Sequence, residues 1–373
     1  MKSLLSSALR YASNIPGFST DRKLVVIESD DWGSIRMPSL KALERLEKKG
    51  LNLRAGDSER YNLNDTLAAK EDLSALFDVL TNHKDSNGNL ACFTALALSA
   101  NPDFEKIGQH NFSAYFNQPI TDTLEKYGHS EAFGMWKTGE EGGQFKPEFH
   151  GREHLNVVAW MRSLQRGDKE TMLAFEEGLW ALSSNKVSRV SFQAPYDVEF
   201  ANDVAEQAEI IRDGLKMFES LHGRKARFFV PPNGKIHSTV ENASADGGVN
   251  YLSTSKIHTE VLGEGKTKKH FRYIGKKNKT GQIFLTRNAF FEPNQGTNKD
   301  HVDSCLKEIE IAFKYKKPAV ISSHRCNYIG SLNPANRDHG IKELDKLLNT
   351  ILKKWPEVEF LSSSQLGDLV SSK

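Results

Sequence analysis

The run Leu24-Val25-Val26-Ile27-Glu28-Ser29-Asp30-Asp31-Trp32-Gly33 constrains the fold more than any other stretch. Leu24 to Glu28 is mostly apolar and β-branched, the composition of a buried parallel strand. It ends in two adjacent carboxylates and a glycine able to supply a tight exit. Successive strand residues point to opposite faces, yet where the chain turns both carboxylates can reach one site. Two like charges side by side are costly unless a cation or proton separates their roles. Taken alone, the plainer reading of a strand followed by an acidic turn is the stronger.

The rest of the chain repeats the pattern of strand and helix. Ser39 is placed to cap a helix through Leu40, Leu43 and Leu46, and a second helix is predicted over Thr66 to Leu80. Leu90 to Leu98 reads as a second buried strand. Residues 101–148 show no clear period, as in functional or lid segments, and are expected to close over the site. Arg189 to Pro195 reads as a strand followed by a long helix from about Asn202 to Leu221. A further strand stops at Pro231-Pro232-Asn233-Gly234, with others expected at Tyr251 to Ser255, Gln282 to Phe291 and Val358 to Ser362. The lysine-rich stretch from Lys256 to Lys279 reads as a solvated hairpin or loop. Pro318 to His324 is a buried strand ending in a histidine, and a helix is predicted over Gly340 to Lys354. Alternating strands and helices imply a parallel sheet, open or closed into a barrel, in one α/β domain over 1–373 with insertions.

Composition narrows the functional classes. Lys plus Arg total 50 against 48 for Asp plus Glu, so no nucleic-acid signature exists. No apolar run approaches a membrane span. Met1 to Phe18 lacks the continuous apolar stretch of a secretory signal and reads as an amphipathic helix. Cys92, Cys305 and Cys326 are scattered and odd in number, fitting free thiols in a reducing compartment, so a cytoplasmic location is expected.

Three histidines and the Asp pair fall at the C-terminal ends of predicted strands or just beyond, the face that carries chemistry in α/β barrels. His150 and His154 are four apart and share one side if the segment is helical. Alone, such a pair is more often structural than metal-binding. With a carboxylate from another strand it supplies three protein ligands and leaves a position open, as a catalytic zinc site requires. The second carboxylate is then free to act as a base, and His324 as an acid. In isolation His324 reads as a hydrogen-bonded strand-end histidine.

In this order the motifs resemble those of the NodB-homology polysaccharide deacetylases, carbohydrate esterase family four. Ser29-Asp30-Asp31-Trp32-Gly33 is similar to the family's Thr-Phe-Asp-Asp-Gly, and His150-Gly151-Arg152-Glu153-His154 to its His-x-x-x-His. Arg227-Phe228-Phe229-Val230-Pro231-Pro232-Asn233-Gly234 resembles the Arg-Pro-Pro-Tyr-Gly strand, and Ile321-Ser322-Ser323-His324 the strand of the acid histidine. The likeness runs from about Lys23 to Val370, with 101–148 and 256–279 unmatched.

The resemblance implies a deformed (β/α) barrel and a divalent metal, usually Zn2+, held by Asp31, His150 and His154. Asp30 would be the base and His324 the acid in removing an N-acetyl group from an amino sugar of a polysaccharide or glycan precursor. Alternatives are a C–N hydrolase acting on a non-sugar amide and an inactive carbohydrate-binding relative. Trp32, Pro232, Asn233 and Arg325 are the implied substrate contacts, Trp32 as a wall for stacking a sugar. The family's arginine before the two prolines is Val230 here, and its tyrosine is Asn233. Arg325 or Arg287 is the candidate replacement for that arginine as the partner of Asp30.

Overall fold

The buried run forms β1 (Leu24–Trp32), and every one of its residues is buried. This is a computed structural model, describing residues 13–54, 58–182, 188–296 and 299–372. The helix expected over Met1 to Phe18 falls largely outside the described residues. Eight further strands join β1 in one sheet: β2 (Phe93–Leu98), β3 (Phe145–Gly151), β4 (Phe228–Phe229), β5 (Tyr251–Ser253), β6 (Ile283–Leu285), β7 (Ala289–Phe290), β8 (Ala319–His324) and β9 (Glu359–Phe360). Their spatial order is β6-β5-β4-β3-β2-β1-β8-β7, with β9 on the first residues of β1, and all pairings are parallel.

β6 and β7 stand at opposite edges of that order, yet Thr286, Arg287 and Asn288 alone connect them. Four Cα–Cα steps cover at most about 15 Å. The sheet must therefore curl until its edges nearly meet, which makes the deformed barrel. Asn288 fastens the connector to β8, its Oδ1 accepting from Val320 N at 2.8 Å and its Nδ2 donating to Pro318 O at 2.9 Å.

Alternation along β1 sorts its side chains. Val25 and Ile27 face outward into the main core with residues of α2 (Lys70–Asn82) and α8 (Pro334–Lys354). Leu24 and Val26 face inward with Leu96, Phe228 and Val320, over Leu366 and Val370 of α9 (Ser363–Ser371). Glu28 and Asp30 continue the inward row. The remaining long helices are α1 (Leu40–Lys48), α3 (Ala132–Gly142), α4 (Val157–Gln165), α5 (Asp203–His222), α6 (Ser238–Asp246) and α7 (His301–Lys314). Ser39 caps α1 as expected, accepting from Ala42 N at 3.1 Å.

Two expectations of local structure fail. Arg189 to Pro195 forms turns, with Ala194 N donating to Ser191 O. Its apolar side chains, Val190 and Phe192, pack beside α4, because β3 is already flanked by β2 and β4. The second half of residues 101–148 is not a lid. The stretch from Ala132 supplies α3 and most of β3, elements of the barrel itself, with Trp136 buried against Phe145. Tyr115 instead braces the loop of the second histidine, donating to Glu153 Oε1 at 2.9 Å. The segment 256–279 does contain a hairpin, Ile257–Gly263 against Lys266–Phe271.

Candidate functional site

Two bulges aim the side chains. Between Ser29 and Trp32 β1 advances three residues while β2 advances two, and Asp31 takes the extra position at φ 76°. A bulge of this kind redirects one side chain without ending the strand, and a non-glycine residue in the left-handed region is a local strain. It lets Asp31 reach the same end of the barrel as Asp30. On β3 the register slips again between Phe149 and Gly151, leaving His150 as the extra residue. His154 follows in a loop, so the pair does not ride one helix. A strand end and a loop bring the rings 5.5 Å apart instead.

Asp31, His150 and His154 are all buried, and their donor atoms lie within 4.8 Å of one another. Asp31 Oδ1 is 3.3 Å from His150 Nε2 and 3.1 Å from His154 Nε2. His150 Nδ1 donates to Val230 O at 2.7 Å, which leaves Nε2 as the lone-pair nitrogen of the neutral ring. Two acceptors then face each other, Nε2 and a carboxylate oxygen, and a cation between them relieves the contact. The backbone carbonyl on the far nitrogen is the arrangement that orients a metal-binding imidazole. Burial alone would raise Asp31, and it is positive charge at the His154 and His150 positions that holds it well below the usual carboxylate range. The donor set fits a divalent ion with an open position.

Asp30 lies beside this group and is held by Arg287, not by Arg325. Arg287 Nη2 donates to Asp30 Oδ1 at 2.5 Å and Nη1 to Oδ2 at 2.7 Å, while Nε donates to Glu28 Oε2 at 2.6 Å. Burial pushes Asp30 upward, but the guanidinium outweighs it and holds Asp30 below its ordinary value. On Glu28 burial wins, and its carboxyl is raised. Arg325 is fully buried and turned away, donating to Asp65 Oδ1 at 2.7 Å and Ser34 O at 2.7 Å. It touches no substrate space.

His324 completes the cluster, with Nε2 at 3.8 Å from Asp30 Oδ2. Its Nδ1 meets Glu292 Oε1 at 2.5 Å. Burial lowers the imidazole, but the Glu292 charge and hydrogen bond lift it to about 9. Glu292 in turn accepts from Arg60 Nη1 and Asn327 Nδ2. The sequence reading missed Glu292, Arg60 and Glu28. Glu292 carried a usable signal, an acid one residue past a predicted strand, on the face where the other polar groups gather.

A cavity of about 690 Å3 opens over Asp30 and His324, lined also by Arg287, Asn233 and Ser322. Asn233 stands at φ 54° with Nδ2 donating to Gln193 O at 2.6 Å. Pro232 is buried and not among the lining residues. Trp32 cannot be a sugar-stacking wall. It is 1% exposed, packs edge-on to Trp136 and Phe145, and donates from Nε1 to Ser29 Oγ at 3.0 Å. Its position in the bulged strand sends it to the outer core. No helix of the described residues is long and apolar enough to cross a membrane, and all three cysteines are free and buried.

No protein-family model matches the chain, and no curated protein matches its sequence. Solved structures similar to it include polysaccharide deacetylases and family 4 carbohydrate esterases. A Mycobacterium smegmatis protein assigned as a polysaccharide deacetylase aligns at 10% identity and TM-score 0.43, over 96% of this chain and 93% of that one. The α-amylase AmyC from Thermotoga maritima aligns at 9% identity and TM-score 0.48, over 93% and 74%. A family 4 acetyl xylan esterase from Clostridium thermocellum, in complex with cobalt, aligns at 11% identity and TM-score 0.38, over 93% and 91%. At such scores the likeness carries no functional argument, and the geometry of the site must.

Proposed function

We propose that this chain is a metal-dependent hydrolase that removes N-acetyl groups from an amino sugar in a glycan. The observation that carries the reading is the meeting of three groups at one end of the barrel. These are the Asp31, His150 and His154 donor set, the Asp30–Arg287 pair and the His324–Glu292 pair. The amino-sugar substrate rests on the order of motifs along the chain.

A divalent ion held by Asp31, His150 and His154 would polarise the acyl carbonyl and lower the pKa of an attacking water. Every other task falls to residues of this chain. Asp30 is the carboxylate not used as a ligand, and it takes the proton of the attacking water. Arg287 grips both of its oxygens, keeping it ionised and fixed in direction. A carboxylate lowered in this way is a weak base, so it suits only a water that has already been acidified. His324 is held as an imidazolium by Glu292, and its Nε2 gives a proton to the departing amine. That step is needed because an unprotonated amine anion is a poor leaving group.

The test is acetate release from N-acetylated oligosaccharides by the metal-loaded protein, alongside metal analysis. Release that depends on metal and disappears in Asp30→Asn, with metal content kept, supports the reading. Retained metal with no acetate release from any N-acetyl glycan overturns it.

A further inference from the structure

Among the described residues lining the cavity over Asp30 and His324, Lys256 is a cation with no carboxylate at ion-pair distance. Asp30 is matched by Arg287, His324 by Glu292, and Lys235 by Asp197. Glu308 also lines the cavity, with Oε2 accepting from Phe290 N at 2.9 Å. Lys256 Nζ donates to Ser13 Oγ at 3.1 Å and Asn14 Oδ1 at 3.2 Å, both neutral. Among the described residues no carboxylate oxygen lies within 4.0 Å of it. A half-buried ammonium without an anion is unfavourable unless something supplies the charge. Burial, helped by Lys317, brings its pKa down to about 8.

Beside it the cavity wall is apolar where it meets solvent. Ile257 is 64% exposed and Phe290 52%, and both line the cavity. An exposed aromatic at a polar cavity offers a face for a sugar ring. The volume lies within the ~300–1,000 Å3 range of small-ligand sites.

We propose that the cavity takes an acidic glycan, a monoanionic carboxylate or sulfate meeting Lys256 while a neighbouring sugar ring lies on Phe290 and Ile257. The proposal rests on the reading of the site as a glycan deacetylase and adds the substrate class. One ammonium matches one negative charge. Phosphate recognition recruits a guanidinium fork or a set of backbone N–H groups, and Arg287 already commits its donors to Glu28, Asp30 and Ser322.

Calorimetry near pH 8 tests this with three probes that carry no amide: a glucuronate–glucose disaccharide, a sulfated cellobiose and neutral cellobiose. An anionic probe should bind roughly tenfold tighter than cellobiose, the order expected for one charged hydrogen bond. Binding should draw a proton from buffer, because the anion favours the ammonium. Lys256→Met should erase the preference and the proton uptake, and Lys256→Arg should restore the preference. Whether the carboxylate or the sulfate is preferred identifies the group. Equal affinities for all three probes, or a preference that survives in Lys256→Met, overturn the proposal. Because no probe can be deacetylated, this result is independent of acetate release. Equal affinities alongside acetate release sink the acidic substrate and leave the hydrolase. Acid preference without acetate release does the reverse.

Discussion

His150 and His324 stand at the ends of two strands flanking the same site, and each engages its Nδ1 with one oxygen. On His150 that oxygen is the carbonyl of Val230, and on His324 it is the carboxylate of Glu292. The difference of one charge divides their chemistry. A carbonyl fixes the tautomer without favouring the cation, so the far nitrogen keeps a lone pair for a metal. A carboxylate stabilises the cation, so the far nitrogen keeps a proton to give. In the proposed mechanism one side of the site would donate electrons and the other a proton.

The sharpest break of that comparison removes each histidine in turn. His150→Ala should weaken metal retention by more than about 100-fold, beyond the loss typical of an outer-shell partner, with activity falling alongside. His324→Ala should keep the metal and lose about 10²–10⁴ in kcat. Metal analysis after dialysis, paired with initial rates, separates the two. If both variants lose metal, the sides are not distinct.

A milder change alters only the oxygen behind His324. With His324 as the proposed acid, activity would need the protonated ring, and the wild-type rate should fall on an alkaline limb near 9. Glu292→Gln removes the anion that lifts the ring, and the limb should move to lower pH, toward about 6.5, with metal content unchanged. The limb is a macroscopic value for the coupled cluster. A limb that stays in place would assign it to another group.

Arg287→Lys keeps the charge and discards the fork that grips Asp30. A loss of about tenfold in kcat is expected, the order of one charged hydrogen bond. A change in KM alone would mean that Arg287 serves substrate binding instead.

The smallest effect is on stability. The folded-state value of His324, about 9, lies above the ordinary 6.5. Its contribution is therefore fully present below about pH 6.5 and is lost as pH rises through 9. Urea midpoints of wild type minus Glu292→Gln, taken at low and high pH, should shrink toward zero at the alkaline end. A difference that grows with pH would reverse the assignment.

β1 and β8 were legible because buried parallel strands are written as continuous apolar runs, and both end in polar groups at the face that carries the site. The short strands were placed, but their bounds and number were not: the single strand expected over Gln282 to Phe291 is two, β6 and β7, joined by a connector. β4 and β7 have two residues each, and no periodicity can be read from two positions. Arg189 to Pro195 shows the opposite error, an alternating run that packs as turns beside α4 because β3 is already flanked by β2 and β4. Spacing pointed to His150 and His154 and the family resemblance added Asp31, but the geometry was misjudged, since a register slip and a loop, not a helix, unite the two histidines. Trp32 and Arg325 were misplaced for one reason. Neighbours of site residues in sequence need not share their direction: the bulge in β1 sends Trp32 to the outer core, and the single helical turn after β8 carries Arg325 to Asp65 and Ser34.

The connector Thr286-Arg287-Asn288 carries a wider consequence. It is the tie that holds the two free margins of the sheet together, and its middle residue reaches across to Glu28 and Asp30 on β1. Hoop and chemistry thus share one side chain. Neutralising Asp30 would release part of that grip together with the proposed base, so a protein silenced in this way would also be a slacker cylinder. Loss of activity and loss of closure become one inherited event, and a descendant that drifted toward mere binding would have to find another way to keep its staves drawn together.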